Sequence, residues 1–104
     1  LDTIRKVIEA GMVETQLTIR SEQGLHGRPA DLFIRMANKY ECEIRIRNLT
    51  TGFNMVNAKS LLKVLSLGIY CGHVIQVSTE DIDEEEAVLS ITDLVQSNFW
   101  LSAG

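Results

Sequence analysis

Apolar residues recur along the chain at two spacings, and each spacing predicts one kind of element. Over residues 12–20 apolar and polar side chains alternate, which is typical of a half-buried strand. Over residues 30–37 the apolar side chains lie three or four positions apart, which predicts an amphipathic helix. From residue 12 onward the pattern predicts the order strand, helix, strand, strand, helix, strand, helix. The predicted strands cover residues 12–20, 42–47, 53–56 and 73–79, and the predicted helices cover residues 27–40, residues 57–67 and a segment capped by Asp81 or Asp83.

This order favours the α+β class, because strands that bury one face form antiparallel sheets covered by helices on one side. The first ten residues predict a separate short helix, which Asp2 or Thr3 could cap and Gly11 could end. Its apolar face would consist of Leu1, Ile4, Val7 and Ile8. Because so short a helix is unstable alone, we expect it to dock on the domain, pair with a neighbour or stay partly disordered.

Composition narrows the class of protein. A chain of 104 residues with 45% hydrophobic residues and a net charge of −4 predicts one globular domain and argues against a nucleic-acid-binding module. No apolar run approaches the roughly 20 residues that span a bilayer, and no signal-peptide pattern is present. Cys42 and Cys71 lack the spacing of a metal site or a disulfide framework. We therefore expect a cytoplasmic protein with reduced thiols and no membrane insertion.

The candidate chemistry lies in residues 24–30, Gly-Leu-His-Gly-Arg-Pro-Ala. Pro29, the only proline, suits the first turn of the predicted helix, so the N–H groups of Gly27 and Arg28 should be unbonded beside His26. A helix start of this kind attracts anions, and an arginine adds a fork of donors that fits phosphate. The same field favours a neutral, nucleophilic imidazole. A loop histidine alone would as readily be a cap without chemistry, but its neighbours favour a phosphoryl acceptor.

Two further features have plainer interpretations. His73 has no acidic or cysteine partner at ligand spacing, so we expect it to have no chemical role. Phe99, Trp100 and Leu101 form an apolar tail that should either pack on the domain or mark a contact.

The 24–30 segment closely resembles the active-site sequence of the HPr family, the histidine-containing phosphocarriers of the bacterial sugar phosphotransferase system. Residues 58–68, Ala-Lys-Ser-Leu-Leu-Lys-Val-Leu-Ser-Leu-Gly, resemble the second-helix segment of that family. Gly72, followed by a strand and an acidic helix start, is similar to its carboxy-terminal half. The resemblance covers about residues 12–96.

The resemblance implies an open-faced sandwich of a four-stranded antiparallel sheet with three helices on one face. It implies that enzyme I, using phosphoenolpyruvate, phosphorylates His26 on Nδ1, and that the phosphoryl group passes to a histidine or cysteine of an enzyme IIA. Arg28 and the N–H of Gly27 would hold the phosphate. Such a protein is a stoichiometric carrier, not an enzyme. We expect a monomer without metal or organic cofactor, although enzyme I would need magnesium.

The second segment supplies further candidates. By the same resemblance Leu61, Leu62 and Leu65 would form the docking surface for partners, although a helix this apolar could equally place them in the core. Ser60 would be a regulatory phosphorylation site for an HPr kinase, or only a helix cap. If Ser60 were the functional residue, the chain would be a regulatory interaction module that binds kinases or transcription regulators. A carrier for a nitrogen-related branch is a third option.

The chain also departs from the family pattern. Gly27 stands where alanine or threonine is common, which should loosen the first turn by up to about 1 kcal/mol. The hairpin over residues 44–56 is a few residues longer than usual. We therefore expect two parts, an N-terminal extension at residues 1–11 and an HPr-like domain at residues 12–104.

Overall fold

The computed structural model describes residues 3–7, 11–52 and 54–100. Its strands are β1 (Thr3–Val7), β2 (Met12–Thr18), β3 (Glu43–Asn48), β4 (Val56–Asn57) and β5 (Val74–Glu80), and its helices are α1 (Gly27–Ala37), α2 (Leu61–Leu65) and α3 (Glu84–Gln96). The strands form one antiparallel sheet in the order β1-β2-β5-β3-β4.

One face of the sheet packs against the helices, and the other carries polar side chains. The core joins Leu17, Ile44 and Ile75 of the sheet to Phe33 of α1 and Ile91 of α3, all of them buried. On the opposite face the side chains hydrogen-bond across three strands, from Arg47 through Gln76 to Glu14. The predicted four-stranded antiparallel sheet with three helices on one face is therefore confirmed, as strands β2 to β5 with α1 to α3.

The predicted N-terminal helix is wrong in the part that the structure describes. Thr3–Val7 is strand β1, which pairs with β2 so that Ile4 lies opposite Thr15. The remaining residues of that prediction, 1, 2 and 8–10, lie outside the described residues. The physical reason is the edge of β2, whose unpaired N–H and C=O groups gain partners when a fifth strand adds to the sheet. An apolar pattern over so few residues fits a helix or a strand equally well.

The other elements match the predictions in type and order but are shorter. Helix α1 ends at Ala37 because the N–H of Asn38 caps it by donating to the carbonyl of Ile34. Helix α2 is a little over one turn long, and Ser60 begins it. The returning strand of the hairpin is β4, later than the predicted 53–56, and Phe53 lies outside the described residues. In the tail Phe99 is buried and Trp100 exposed, while Leu101 is not described.

Asp83 joins the start of α3 to the loop before β3. It occupies the N-cap position of α3 in a left-handed conformation (φ 53°), yet its side chain makes no capping bond. Instead its carboxylate accepts hydrogen bonds from the N–H groups of Glu41 and Cys42, at 3.0 and 3.1 Å. Burial, reinforced by the nearby Asp83 carboxylate, raises the pKa of the Cys42 thiol to about 12, so this cysteine stays protonated. Cys42 and Cys71 are both free thiols.

We expect Asp83→Asn to lower the melting temperature at neutral pH more than in acid. Partial burial by itself would raise the pKa of Asp83, but the two donated hydrogen bonds outweigh it, so the pKa lies below its usual 3.8. The ionised carboxylate therefore stabilises the fold fully above that value, and this contribution is lost as the pH falls through the lower, folded-state pKa. Asparagine tolerates the left-handed backbone but accepts fewer hydrogen bonds. Melting both proteins between pH 7 and about pH 3 tests this, and a constant gap across that range would contradict it.

Candidate functional site

His26 stands at the N-cap position of α1, directly before its first turn. Its backbone is extended (φ −133°, ψ 169°), no side chain caps the helix, and the first turn contains no acidic residue. The N–H groups of Gly27 and Arg28 therefore lie in a first turn where no intrahelical acceptor is available. Together with the positive end of the helix dipole they form a site that favours an anion beside the imidazole.

The imidazole of His26 is partly exposed. Its Nε2 is buried and finds no hydrogen-bond partner among the described residues. The ring of Tyr70 packs against it with the ring centroids 4.9 Å apart and the planes tilted by 43°. The exposed part of the ring leaves Nδ1 as the nitrogen open to a reaction partner.

The loop that delivers His26 is fixed from both sides. Ser21 binds Gly24 twice, since its hydroxyl donates to the carbonyl of Gly24 at 2.6 Å and its carbonyl accepts from the N–H of Gly24 at 2.9 Å. The N–H of Leu25 donates to the carbonyl of Ile69 at 2.9 Å, and the Leu25 side chain is buried. His26 is thus held in place by the chain segment between α2 and β5.

Gly27 has a left-handed backbone, with a φ of +52°. A side chain costs about 1–2 kcal/mol in this conformation, whereas glycine adopts it freely. The nearest atom to a Cβ placed there is Gln23 Oε1 at 3.9 Å, so backbone conformation and not space favours glycine. The expectation that glycine loosens this turn relative to alanine is therefore wrong for the conformation observed.

Arg28 is exposed beside this first turn. Across the described part of the chain it forms no ion pair, in contrast to Arg35 on the same helix, which binds Asp31 at 2.9 Å. Its guanidinium is therefore available to an anion at the start of α1. The structure places His26, Gly27 and Arg28 together, as the sequence predicts.

The predicted docking residues lie largely at the surface. Leu62 is 80% exposed and Leu61 43%, while Leu65 is half-buried and Val64 alone in this helix belongs to the core. Of the two interpretations left open, the surface one therefore holds for Leu61 and Leu62. That partners dock on them stays a prediction.

Ser60 occupies the N-cap position of α2. Its hydroxyl accepts a hydrogen bond from the N–H of Lys63 at 3.3 Å, which is the capping role that serine commonly plays. The side chain is half-buried, and nothing in its contacts tests a regulatory role.

Sequence reasoning missed the contact of Tyr70 with His26 and the partners of His73. The Nδ1 of His73 accepts hydrogen bonds from the N–H of Tyr70 at 3.1 Å and from the side-chain amide of Asn48 at 3.0 Å. The three rings of His26, Tyr70 and His73 follow one another along the surface. No periodicity signals this arrangement, because the loop comes beside His26 only through tertiary packing.

Two kinds of site were sought in the described ranges. No group of three or more histidine, cysteine, aspartate or glutamate side chains there could hold a metal ion. None of the helices in those ranges is both long and apolar enough to cross a membrane.

Comparison with known proteins agrees with this geometry. A family model described as the PTS HPr component phosphorylation site matches residues 13–97. The phosphocarrier protein HPr of Buchnera aphidicola subsp. Acyrthosiphon pisum is 42% identical over 77 residues, which cover 74% of this chain and 87% of that protein. The HPr-like protein Crh of Halalkalibacterium halodurans is 38% identical over 85 residues, covering 82% of this chain and 98% of that one. A crystal structure of HPr from Thermoanaerobacter tengcongensis superposes with a TM-score of 0.78 at 40% identity, covering 83% of this chain and 93% of that chain.

Longer proteins match as well. A multiphosphoryl transfer protein of Haemophilus influenzae is 36% identical over 90 residues, which cover 86% of this chain but 18% of that protein. A multiphosphoryl transfer protein of Vibrio cholerae is 40% identical over 73 residues, covering 70% of this chain and likewise 18% of that protein. The chain thus spans less than a fifth of the length of these two relatives.

Proposed function

This chain belongs to the HPr family of the phosphotransferase system, and from that premise we propose that His26 takes a phosphoryl group from phosphorylated enzyme I and passes it to an enzyme IIA. The observation that carries the proposal is the partly exposed His26 ring beside the uncapped first turn of α1. The chain would act as a stoichiometric carrier and not as an enzyme, because it needs other proteins to load and unload it.

The transfer needs one nucleophile and a site for negative charge. The lone pair of Nδ1 attacks the phosphorus atom of the donor, a P–Nδ1 bond forms, and the bond from phosphorus to the donor breaks with its electron pair staying on the donor. The N–H groups of Gly27 and Arg28 and the Arg28 guanidinium would hold the equatorial oxygens. Delivery to an enzyme IIA is the same step with the roles reversed.

Docking would use the exposed part of α2. Leu61 and Leu62 place apolar surface on the helix that leads, through Ile69, to the loop beneath His26. An exposed apolar patch of this kind is typical of a protein contact. The names of the multiphosphoryl transfer relatives support a place for this domain type in phosphoryl transfer.

The test is phosphorylation by purified enzyme I, magnesium and phosphoenolpyruvate, followed by intact mass spectrometry. We expect one added phosphoryl group that is lost in acid, as a group bound to nitrogen is, and that disappears when an enzyme IIA is added. An acid-stable adduct, or no adduct at all, would contradict the carrier function.

A regulatory module is the second candidate. It is favoured by the likeness to the HPr-like protein Crh and by the position of Ser60 at the start of the exposed helix α2. A phosphate on Ser60 would add nearly two negative charges beside Leu61 and Leu62. Binding of a partner that changes with Ser60→Asp but not with His26→Ala would favour this candidate over the carrier.

A further inference from the structure

We propose that Tyr70 is a positioning residue for His26 and that His73 holds Tyr70 in place for this task. The inference deepens the proposed function and rests on it, because it assigns two loop residues to the orientation of the phosphoryl acceptor. Neither residue belongs to the segments that predicted the site.

The first observation is the packing of the two rings. The centroids of Tyr70 and His26 lie 4.9 Å apart at a tilt of 43°, within the range of favourable aromatic pairs. The buried ring nitrogen of His26, Nε2, has no hydrogen bond to orient the imidazole. Because no polar partner fixes the ring, contact with Tyr70 is the described interaction that restricts its rotation.

The second observation is the attachment of Tyr70. Its N–H donates to Nδ1 of His73 at 3.1 Å, and the rings of the two residues meet edge to face, 5.9 Å apart at 88°. The same Nδ1 accepts from the amide of Asn48 at 3.0 Å, and Asn48 is itself buried in the sheet. As Nδ1 accepts both bonds, the neutral His73 ring carries its proton on Nε2. His73 therefore connects Tyr70 to strand β3.

Tyr70 is nevertheless 59% exposed, so the fold does not require its ring for the core. A large exposed ring held in one position is better explained by what it contacts. Fixing the His26 ring keeps Nδ1 directed to the first turn of α1 and removes an entropic cost from each transfer. The side chain of Tyr70 would thus act on the rate of transfer and not on the number of phosphoryl groups carried.

Tyr70→Ala and Tyr70→Phe test this inference against wild type. We expect Tyr70→Ala to accept one phosphoryl group but to lose roughly three- to tenfold in kcat/KM for transfer from enzyme I, the range of one aromatic pair. Tyr70→Phe should retain the wild-type rate, because the ring and not the hydroxyl makes the contact. Trp100→Ala is the matched control, since Trp100 is an exposed aromatic (73%) with no ring contact to His26.

A second measurement separates this inference from the proposed function. In NMR spectra the ring protons of His26 should shift in Tyr70→Ala and stay in place in Tyr70→Phe, whether or not the protein accepts phosphate. Unshifted protons, or a wild-type transfer rate for Tyr70→Ala, would overturn the positioning role. If wild type accepts no phosphate but the protons shift, the proposed function fails while the positioning of His26 stands.

His73→Ala extends the test to the support of Tyr70. We expect it to slow transfer in the same direction as Tyr70→Ala, and the double variant to be no slower than Tyr70→Ala alone, because both changes remove one unit. Losses that multiply in the double variant would show that His73 acts independently of Tyr70.

Discussion

Replacing His26 with alanine is expected to abolish phosphoryl uptake, with a loss of more than about a thousandfold in the rate of labelling. The physical reason is that the variant has no nitrogen to form the bond to phosphorus, while the first turn of α1 and Arg28 can only bind the group. Labelling by enzyme I and phosphoenolpyruvate, followed over time by intact mass, measures the loss.

His73→Ala is the matched control, because it removes the other histidine of the chain. It should reach one phosphoryl group per chain, although more slowly. The fold should survive His26→Ala within about 1 kcal/mol, since the side chain makes no capping hydrogen bond and loses only its contact with Tyr70. A folded His26→Ala protein that still acquires an acid-labile group would refute His26 as the acceptor.

The candidate site could be predicted from the sequence where local chemistry determines it. Pro29 and the apolar residues after it define the start of α1, and this start alone places His26 beside unbonded N–H groups. The first turn is a local structure, so a few neighbouring residues contain the information. The conformation of Gly27 was still missed, because a positive φ depends on how the preceding loop enters the helix.

The parts that depend on distant residues could not be predicted. Ile4 follows a spacing that suits a helix, yet it lies in a strand because the edge of β2 offers backbone partners. Tyr70 and His73 reach His26 only because the chain after α2 packs on the loop before α1. Neither the free edge of a strand nor the approach of two loops leaves a periodic pattern in the sequence.

Gly24→Ala is expected to destabilise the protein by about 2–4 kcal/mol, a large part of the stability of a small domain. Gly24 has a φ of +67°, and a Cβ at this position would lie 2.5 Å from the carbonyl oxygen of Ile69 and 2.8 Å from the Cα of Tyr70. Because both are backbone atoms, no side-chain rotation relieves the clash. The loops must separate, which weakens the hydrogen bond from Leu25 to Ile69 and moves Tyr70 away from His26.

Gly11→Ala distinguishes this clash from the cost of backbone conformation. Gly11 has nearly the same φ, +65°, but nothing lies within 4 Å of the Cβ position. It should therefore lose only about 1–2 kcal/mol in urea unfolding. If close approach of the two loops is what holds His26, the folded Gly24→Ala protein should also be labelled more slowly than the folded Gly11→Ala protein. Equal losses of stability and equal labelling rates would mean that the contact between Gly24 and Ile69 does not position the acceptor.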